Sequence, residues 1–369
     1  MSIKNKNVII GSADQIFVTL YVDMLVNKCG CLKDGICIVS TDGMFDTYKL
    51  NGVDIISFDS ISIEEFIECK TITAISLSHY NSYPLAKIIN ANDVLDKLYI
   101  HLTDDEVERW LKTAIKHKKL KPTNKNLLDD NCMFILNHVK NIIAPREYFE
   151  SSLQFLIGRM DINYIDARDA FKSLPTNLWD KFSNIIDGDD NEVSPEKSIM
   201  VGAKRSVFPI RQVISLIQAF RYEGLLPEYK FVIFTYKKKK SFRIFLDMYL
   251  VYLRLVRRCN VDVAYPTATN AITYNTLIMS SSHLILQGRG SMSTARSYLN
   301  LARGIIHVKK GTPNYIELSK SELIDVDGYL SMRDIAQNVK KAYICPVKNR
   351  KQMEKRFEDK YCILRSIYS

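Results

Sequence analysis

The sequence predicts an α/β protein built from two parallel-sheet domains, and three observations carry that prediction. Short apolar runs alternate with helical patterns along nearly the whole chain. An acidic stretch broken by glycine and proline, residues 187–197, interrupts the alternation, which then restarts. Residues 280–311 join a strand, a glycine loop, a small-residue helix and a second strand, which is half of a nucleotide-binding α/β unit. Strands alternating with helices argue for a parallel sheet covered on both faces.

In the first half, residues 7–11 read as a buried strand, followed by a loop and an apolar helix to about residue 27. Further strands are expected at 35–40, 54–58, 73–77, 98–101 and 141–144, with helical patterns at 62–68 and 106–116 between them. The N-terminal domain is accordingly expected over 1–186, with a linker at 187–197. In the second half, strands are expected at 198–202, 230–236, 262–265, 283–286 and 305–308. Helices are expected at 209–222, 241–258, 267–280 and 291–303. The second domain runs over 198–345, helical beyond 328, and a basic amphipathic helix at 346–369 ends the chain.

With 369 residues, 47% hydrophobic and 25% charged, the chain is long enough for two ordinary domains. A formal charge of +10 points to an anionic partner such as a nucleotide, a nucleic acid or an acidic lipid surface. The first apolar run is too short for a signal peptide, and no segment approaches the roughly 20 apolar residues of a membrane span. A cytoplasmic location is the expectation. The eight cysteines lack paired CxxC spacing and read as reduced thiols. Cys29, Cys31 and Cys37 have no histidine or second pair to complete a tetrahedral metal set, so no metal site is expected.

Gly288, Arg289, Gly290, Ser291, Ser293 and Thr294 surround the start of a helix. Unpaired backbone N–H groups and the helix dipole attract an anion there, and a diphosphate fits. The alternative reading is a helix cap with ordinary turn glycines. Arg296 either joins them or lies on a solvated helix face. Lys204 and Arg205 follow the strand at 198–202 and belong at its carboxyl end, where ligands collect on open α/β sheets. Thr235 ends the next strand, a position for base or ribose.

With these residues in place, the layout resembles the GT-B glycosyltransferases, whose two Rossmann-like domains face a cleft. The segment 280–311 is similar to the element that receives the diphosphate of a sugar nucleotide, and 197–218 looks like the opening of the family's C-terminal domain. The resemblance covers nearly the whole chain in layout but only about thirty residues in sequence. It implies a nucleotide-sugar donor as substrate with no separate cofactor, a carbohydrate or lipid-linked oligosaccharide acceptor, and bacterial surface polysaccharide assembly of O-antigen or capsule type. Two family patterns are absent: the E-x7-E carboxylates of many retaining members, and the histidine-proline motif of several sialyltransferases.

On the N-terminal side, Gly11, Ser12 and Asp14 follow the first strand, and a short turn there lets a sugar approach the backbone. Asp14, His79 and His101 are the candidates for a catalytic base, against the readings of a helix cap and a satisfied histidine. Asp104 and Asp105 suggest a metal less well than they suggest a capped helix. The basic runs at 116–121 and 237–240, with the C-terminal helix, suit either anionic lipid head groups or a solvated face. Two other classes stay open: an NAD-dependent oxidoreductase, which lacks an early GxGxxG, and an RNA-binding or assembly protein, for which no recognition motif is present.

Overall fold

The computed structural model describes residues 2–12, 15–41, 52–91, 93–188, 196–202, 208–234, 240–267, 270–341 and 344–369. The chain divides into two compact units, Met1–Phe171 with Phe357–Ser369, and Lys172–Arg356. Each has its own sheet and its own core.

The first unit runs β1 (Asn7–Gly11), α1 (Ile16–Asn27), β2 (Ile36–Ser40), β3 (Asp54–Ser57), β4 (Thr71–Ile75), α2 (Ser82–Ala91), β5 (Leu98–His101) and α3 (Asp104–His117). It continues through α4 (Asp130–His138), β6 (Asn141–Ile143), α5 (Arg146–Ile157) and β7 (Asn163–Ile165). Its sheet is parallel throughout, in the order β3-β2-β1-β4-β5-β6-β7. The central strands β1, β2 and β4 are buried at every position, which is why they read as unbroken apolar runs rather than alternations.

The second unit runs α6 (Thr176–Gly188), β8 (Glu196–Val201), α7 (Ile210–Tyr222), β9 (Lys230–Val232), α8 (Lys240–Leu255), β10 (Asp262–Ala264), α9 (Ala271–Met279) and β11 (Ser281–Leu286). It continues through α10 (Met292–Asn300), β12 (Ile305–Lys309), α11 (Pro313–Ile316), β13 (Asp327–Tyr329) and α12 (Met332–Lys341). The strand order is β10-β9-β8-β11-β12-β13, again parallel. In both sheets the order reverses beside the first strand, at β1/β4 and at β8/β11. Open α/β sheets bind ligands outside the carboxyl ends of the strands at such reversals.

Several expected elements shift. The strand expected at 230–236 ends at Val232, and the helix expected at 62–68 is a 3-10 turn, Ile63–Glu68. The three-residue strands β7 and β13 are too short to leave a periodic signal, whereas the helix expected beyond Gly328 is present as Met332–Lys341. The last helix, α13 (Pro346–Tyr368), is not simply a basic outer face: Phe357, Tyr361, Leu364 and Tyr368 are buried in the first unit. The Tyr368 hydroxyl lies 2.9 Å from that of Tyr21 and 2.7 Å from that of Thr73.

Gly304, between α10 and β12, is required by close approach. A Cβ there would lie 2.0 Å from the Ser282 carbonyl oxygen and 2.5 Å from the Tyr298 hydroxyl. The small residue lets α10 return directly to the strand beside β11.

Candidate functional site

At the carboxyl end of β11 the chain turns through Gln287–Gly288–Arg289–Gly290 into α10. Asn314, in the first turn of α11, holds this loop by its carbonyls. Its side-chain amide donates to Gln287 O at 2.6 Å and to Gly290 O at 2.8 Å, and its backbone N–H donates to Gly288 O at 2.9 Å. The Gln287 side-chain amide also donates to Gly290 O, at 3.2 Å, and to the Ser291 hydroxyl.

The backbone carbonyls of Gln287, Gly288 and Gly290 are therefore occupied, while Gln287 Oε1 and Asn314 Oδ1 are buried without a partner among the described residues. The N–H groups of Gly288, Gly290, Ser291, Met292, Ser293 and Thr294 donate to no acceptor among the described residues. The first intrahelical bond of α10 is Ala295 N–H to Ser291 O, at 3.1 Å. Gly290 and Ser291 sit at φ 83° and 62°, and the left-handed conformation is uncommon for a serine. Open amides at a helix N-terminus form an anion-binding cradle.

A cavity of about 350 Å³ adjoins the loop, lined by Gln287 and Gly288, by Arg211, Gln212 and Ser215 of α7, by Lys309 at the end of β12, and by Thr312 and Ser331 just beyond β12 and β13. Among the described residues that line it are two cations, Arg211 and Lys309, and no acidic side chain. Gly288 leaves room here, since a Cβ would stand 2.9 Å from the Thr312 methyl.

The hydroxyls divide. Ser291 and Thr294 are buried, the first bonded to Gln287 and the second 3.5 Å from the Tyr274 hydroxyl, whereas Ser293 is half-buried. Arg289 is half-buried at the loop's tip. Arg296 takes neither expected role: it is buried and paired with Glu317 at 2.5 Å and Glu322 at 2.8 Å. This buried ion cluster fixes α10 against the segment after α11.

In the first unit, Gly11 and Ser12 lie at the carboxyl end of β1, beside the sheet's reversal point. The loop after β4 begins with Ser76 at φ 70°. Buried Glu106 of α3 accepts from the Ser76 hydroxyl at 2.5 Å, from Leu77 N–H, and from Thr103 N–H at 2.5 Å. Burial pushes the Glu106 carboxyl above the usual carboxylate range, and the donors around it pull the other way. Ser78 N–H is taken by Asn81 Oδ1 at 3.0 Å.

His79 is exposed on this loop, its ring against Tyr80 and its Nδ1 3.3 Å from Leu127 O. A carbonyl only accepts, so Nδ1 carries the proton and Nε2 holds the basic lone pair. His101 lies elsewhere than an exposed base requires. It is wholly buried among Tyr21 and Phe171, and its Nε2 accepts from Asp169 N–H at 3.1 Å.

Asp14, Lys204, Arg205 and Thr235 lie outside the described residues. Asp104 opens α3, whose capping box is built from Thr103 and Glu106. Among the described residues no group of three or more histidine, cysteine or acidic side chains is placed to hold a metal ion. Burial pushes the Cys29 and Cys37 thiols up to about 12, away from thiolate chemistry.

The sequence pattern does not single out Asn314, Arg211 or Lys309. An asparagine in a helical first turn, just after a proline, was the available signal for the first. Arg211 and Lys309 look like ordinary surface cations until the topology gathers α7 and β12 around one cavity.

No protein-family model matches the chain, and no curated protein matches its sequence. Solved structures match over 99% of its length. They include α,α-trehalose 6-phosphate synthase from Burkholderia multivorans, at 9% identity, TM-score 0.56 and 97% of that chain. Alr3699/HepE of Anabaena, in complex with UDP, matches at 11% identity, TM-score 0.54 and 96% of that chain. Sucrose-phosphate synthase from Thermosynechococcus elongatus matches at 8% identity, TM-score 0.52 and 95% of that chain. At such identities the likeness is one of fold. The chain has the two-sheet Rossmann-like architecture of the GT-B class.

Proposed function

We propose that this protein is a glycosyltransferase that takes a sugar from a nucleotide-sugar donor and passes it to a carbohydrate acceptor. The observation that carries the reading is the loop after β11, whose carbonyls are held by Asn314 and whose amides are left open at the start of α10. In the transfer, the acceptor hydroxyl oxygen bonds to the anomeric carbon as the bond from that carbon to the nucleoside diphosphate breaks. Charge then gathers on the departing diphosphate. Fixed amides together with Arg211, Lys309 and Arg289 suit that charge without a metal ion, and one such donor is worth about 3 kcal/mol of barrier.

Among the solved structures of like fold, the Anabaena protein is in complex with UDP, which makes a uridine diphosphate sugar the first donor to test. We assign the acceptor to the first unit, with Gly11 and Ser12 at the sheet's reversal point and His79 as the base. The acceptor proton goes to His79 Nε2. A growing bacterial surface polysaccharide is the acceptor class that the resemblance in sequence layout favours. Lys204, Arg205 and Thr235 remain donor-side candidates by their place in the sequence.

The test is isothermal titration with UDP, GDP, ADP and CMP, followed by sugar release from the matching nucleotide sugars. One nucleotide is expected to bind, with affinity reduced about tenfold in Arg211→Ala, and release is expected to persist in a chelator. Absence of binding by every nucleotide would remove the reading.

A further inference from the structure

The helix α8 has two apolar faces. Leu246 and Leu253 point into the core of the second unit and are fully buried. On the other side Ile244, Phe245, Met248, Val251, Tyr252 and Leu255 are exposed, by 39 to 73%. At about 100° per residue these six fall within an arc of about 120°. A surface helix ordinarily carries polar residues there, and a contiguous apolar stripe of this size marks an interaction surface.

Charge identifies the partner. Lys240, Arg243, Arg254, Arg257 and Arg258 are all exposed along and just beyond α8, against a single acid on the helix, Asp247. Arg243 lies 3.6 Å from Asp247, which leaves the others to set the sign of the surface. Arg257 donates to the Tyr252 hydroxyl at 2.8 Å, so a cation is braced at the edge of the apolar stripe. A second copy of the same face would bring these cations against their own kind. An anionic bilayer satisfies both features, taking the apolar side chains among its acyl chains and the guanidinium groups at its phosphates.

We infer that α8 docks the protein on an anionic membrane surface, lying in the interface rather than crossing it. Its 16 residues span about 24 Å, short of the hydrocarbon core of about 30 Å. Among the described residues no helix is long and apolar enough to cross a membrane. Docking through α8 is independent of the nucleotide-binding reading, because none of its residues lines the cavity beside Gly288.

The experiment is flotation of the full chain with phosphatidylglycerol–phosphatidylcholine vesicles and with phosphatidylcholine vesicles. It compares wild type, Met248→Glu/Leu255→Glu and Arg254→Glu/Arg257→Glu. Both positions of the first pair are exposed, so the fold is kept, and unchanged circular dichroism and nucleotide affinity verify this. Wild type is expected to float with the anionic vesicles only, less so at high salt, and each double variant to lose at least about tenfold of that partition. No flotation, or equal flotation of all three proteins, overturns the inference. A concentration-dependent dimer in sedimentation that Met248→Glu/Leu255→Glu abolishes also overturns it, assigning the face to a second copy.

Discussion

The loops after β4 and β11 occupy the same place in their two sheets, each following the strand beside the reversal point, and they are wired in opposite senses. Each contains a serine in the left-handed region, Ser76 and Ser291. Each is held by a side chain from the segment after the next strand. In the first unit that side chain is the Glu106 carboxylate, an acceptor, which consumes Leu77 N–H and the Ser76 hydroxyl. In the second it is the Asn314 amide, a donor, which consumes carbonyls and leaves the amides open. One topology thus yields a turn whose amides are taken in one unit and a turn whose amides are open in the other, a choice set by Glu106 with Asn81 in the first and by Asn314 with Gln287 in the second.

The largest effect is expected when that choice is reversed. Asn314→Asp replaces a buried donor with a carboxylate facing the Gln287 and Gly290 carbonyls. It should cost about 4 kcal/mol in the second unit and abolish nucleotide binding, read as a separate low-temperature melting step in calorimetry. A single unshifted transition with intact binding would mean that Asn314 does not set the loop.

Acid should separate the units next. His283 is buried against His307, which bonds Asp327 across β12 and β13, and burial lowers the His283 pKa from 6.5 to about 3. Because the folded value lies below the unfolded one, its contribution is present above pH 6.5. It is lost by about 1.4 kcal/mol per pH unit as the pH falls toward 3. Glu106 works in the other sense, since its raised folded value favours the first unit in acid. Hydrogen exchange at pH 5 should therefore show β11–β13 opening before β4–β6, and the reverse order would contradict the assignment.

A smaller change, Gly288→Ala, places a Cβ 2.9 Å from the Thr312 methyl and should cost about 1–3 kcal/mol, with partial recovery in Gly288→Ala/Thr312→Ser. The smallest is Lys309→Ala, which leaves the fold unchanged. It should weaken diphosphate binding about tenfold by titration calorimetry while leaving the Tm within a degree or two.

Much of this fold was legible because the central parallel strands are apolar at nearly every position. Asn7–Gly11 and Leu98–His101 stand where the sequence places them. The edge strands β7 and β13 were not legible, since three residues carry no period. The glycine loop was found from its residue types, but its polarity was not. Whether a turn presents donors or acceptors depends on Glu106 and Asn314, which lie about thirty residues away along the chain and reach it only through strand pairing. Arg296 misled for the same reason, because Glu317 and Glu322 join it only in three dimensions.

Hydrogen-exchange mass spectrometry with and without UDP tests the contrast between the two loops most directly. Slower exchange in the peptide covering Gly288–Thr294, with the Ser76–Ser82 peptide unchanged, is the predicted result. Protection of the β4 loop instead, with the β11 loop unaffected, would contradict it.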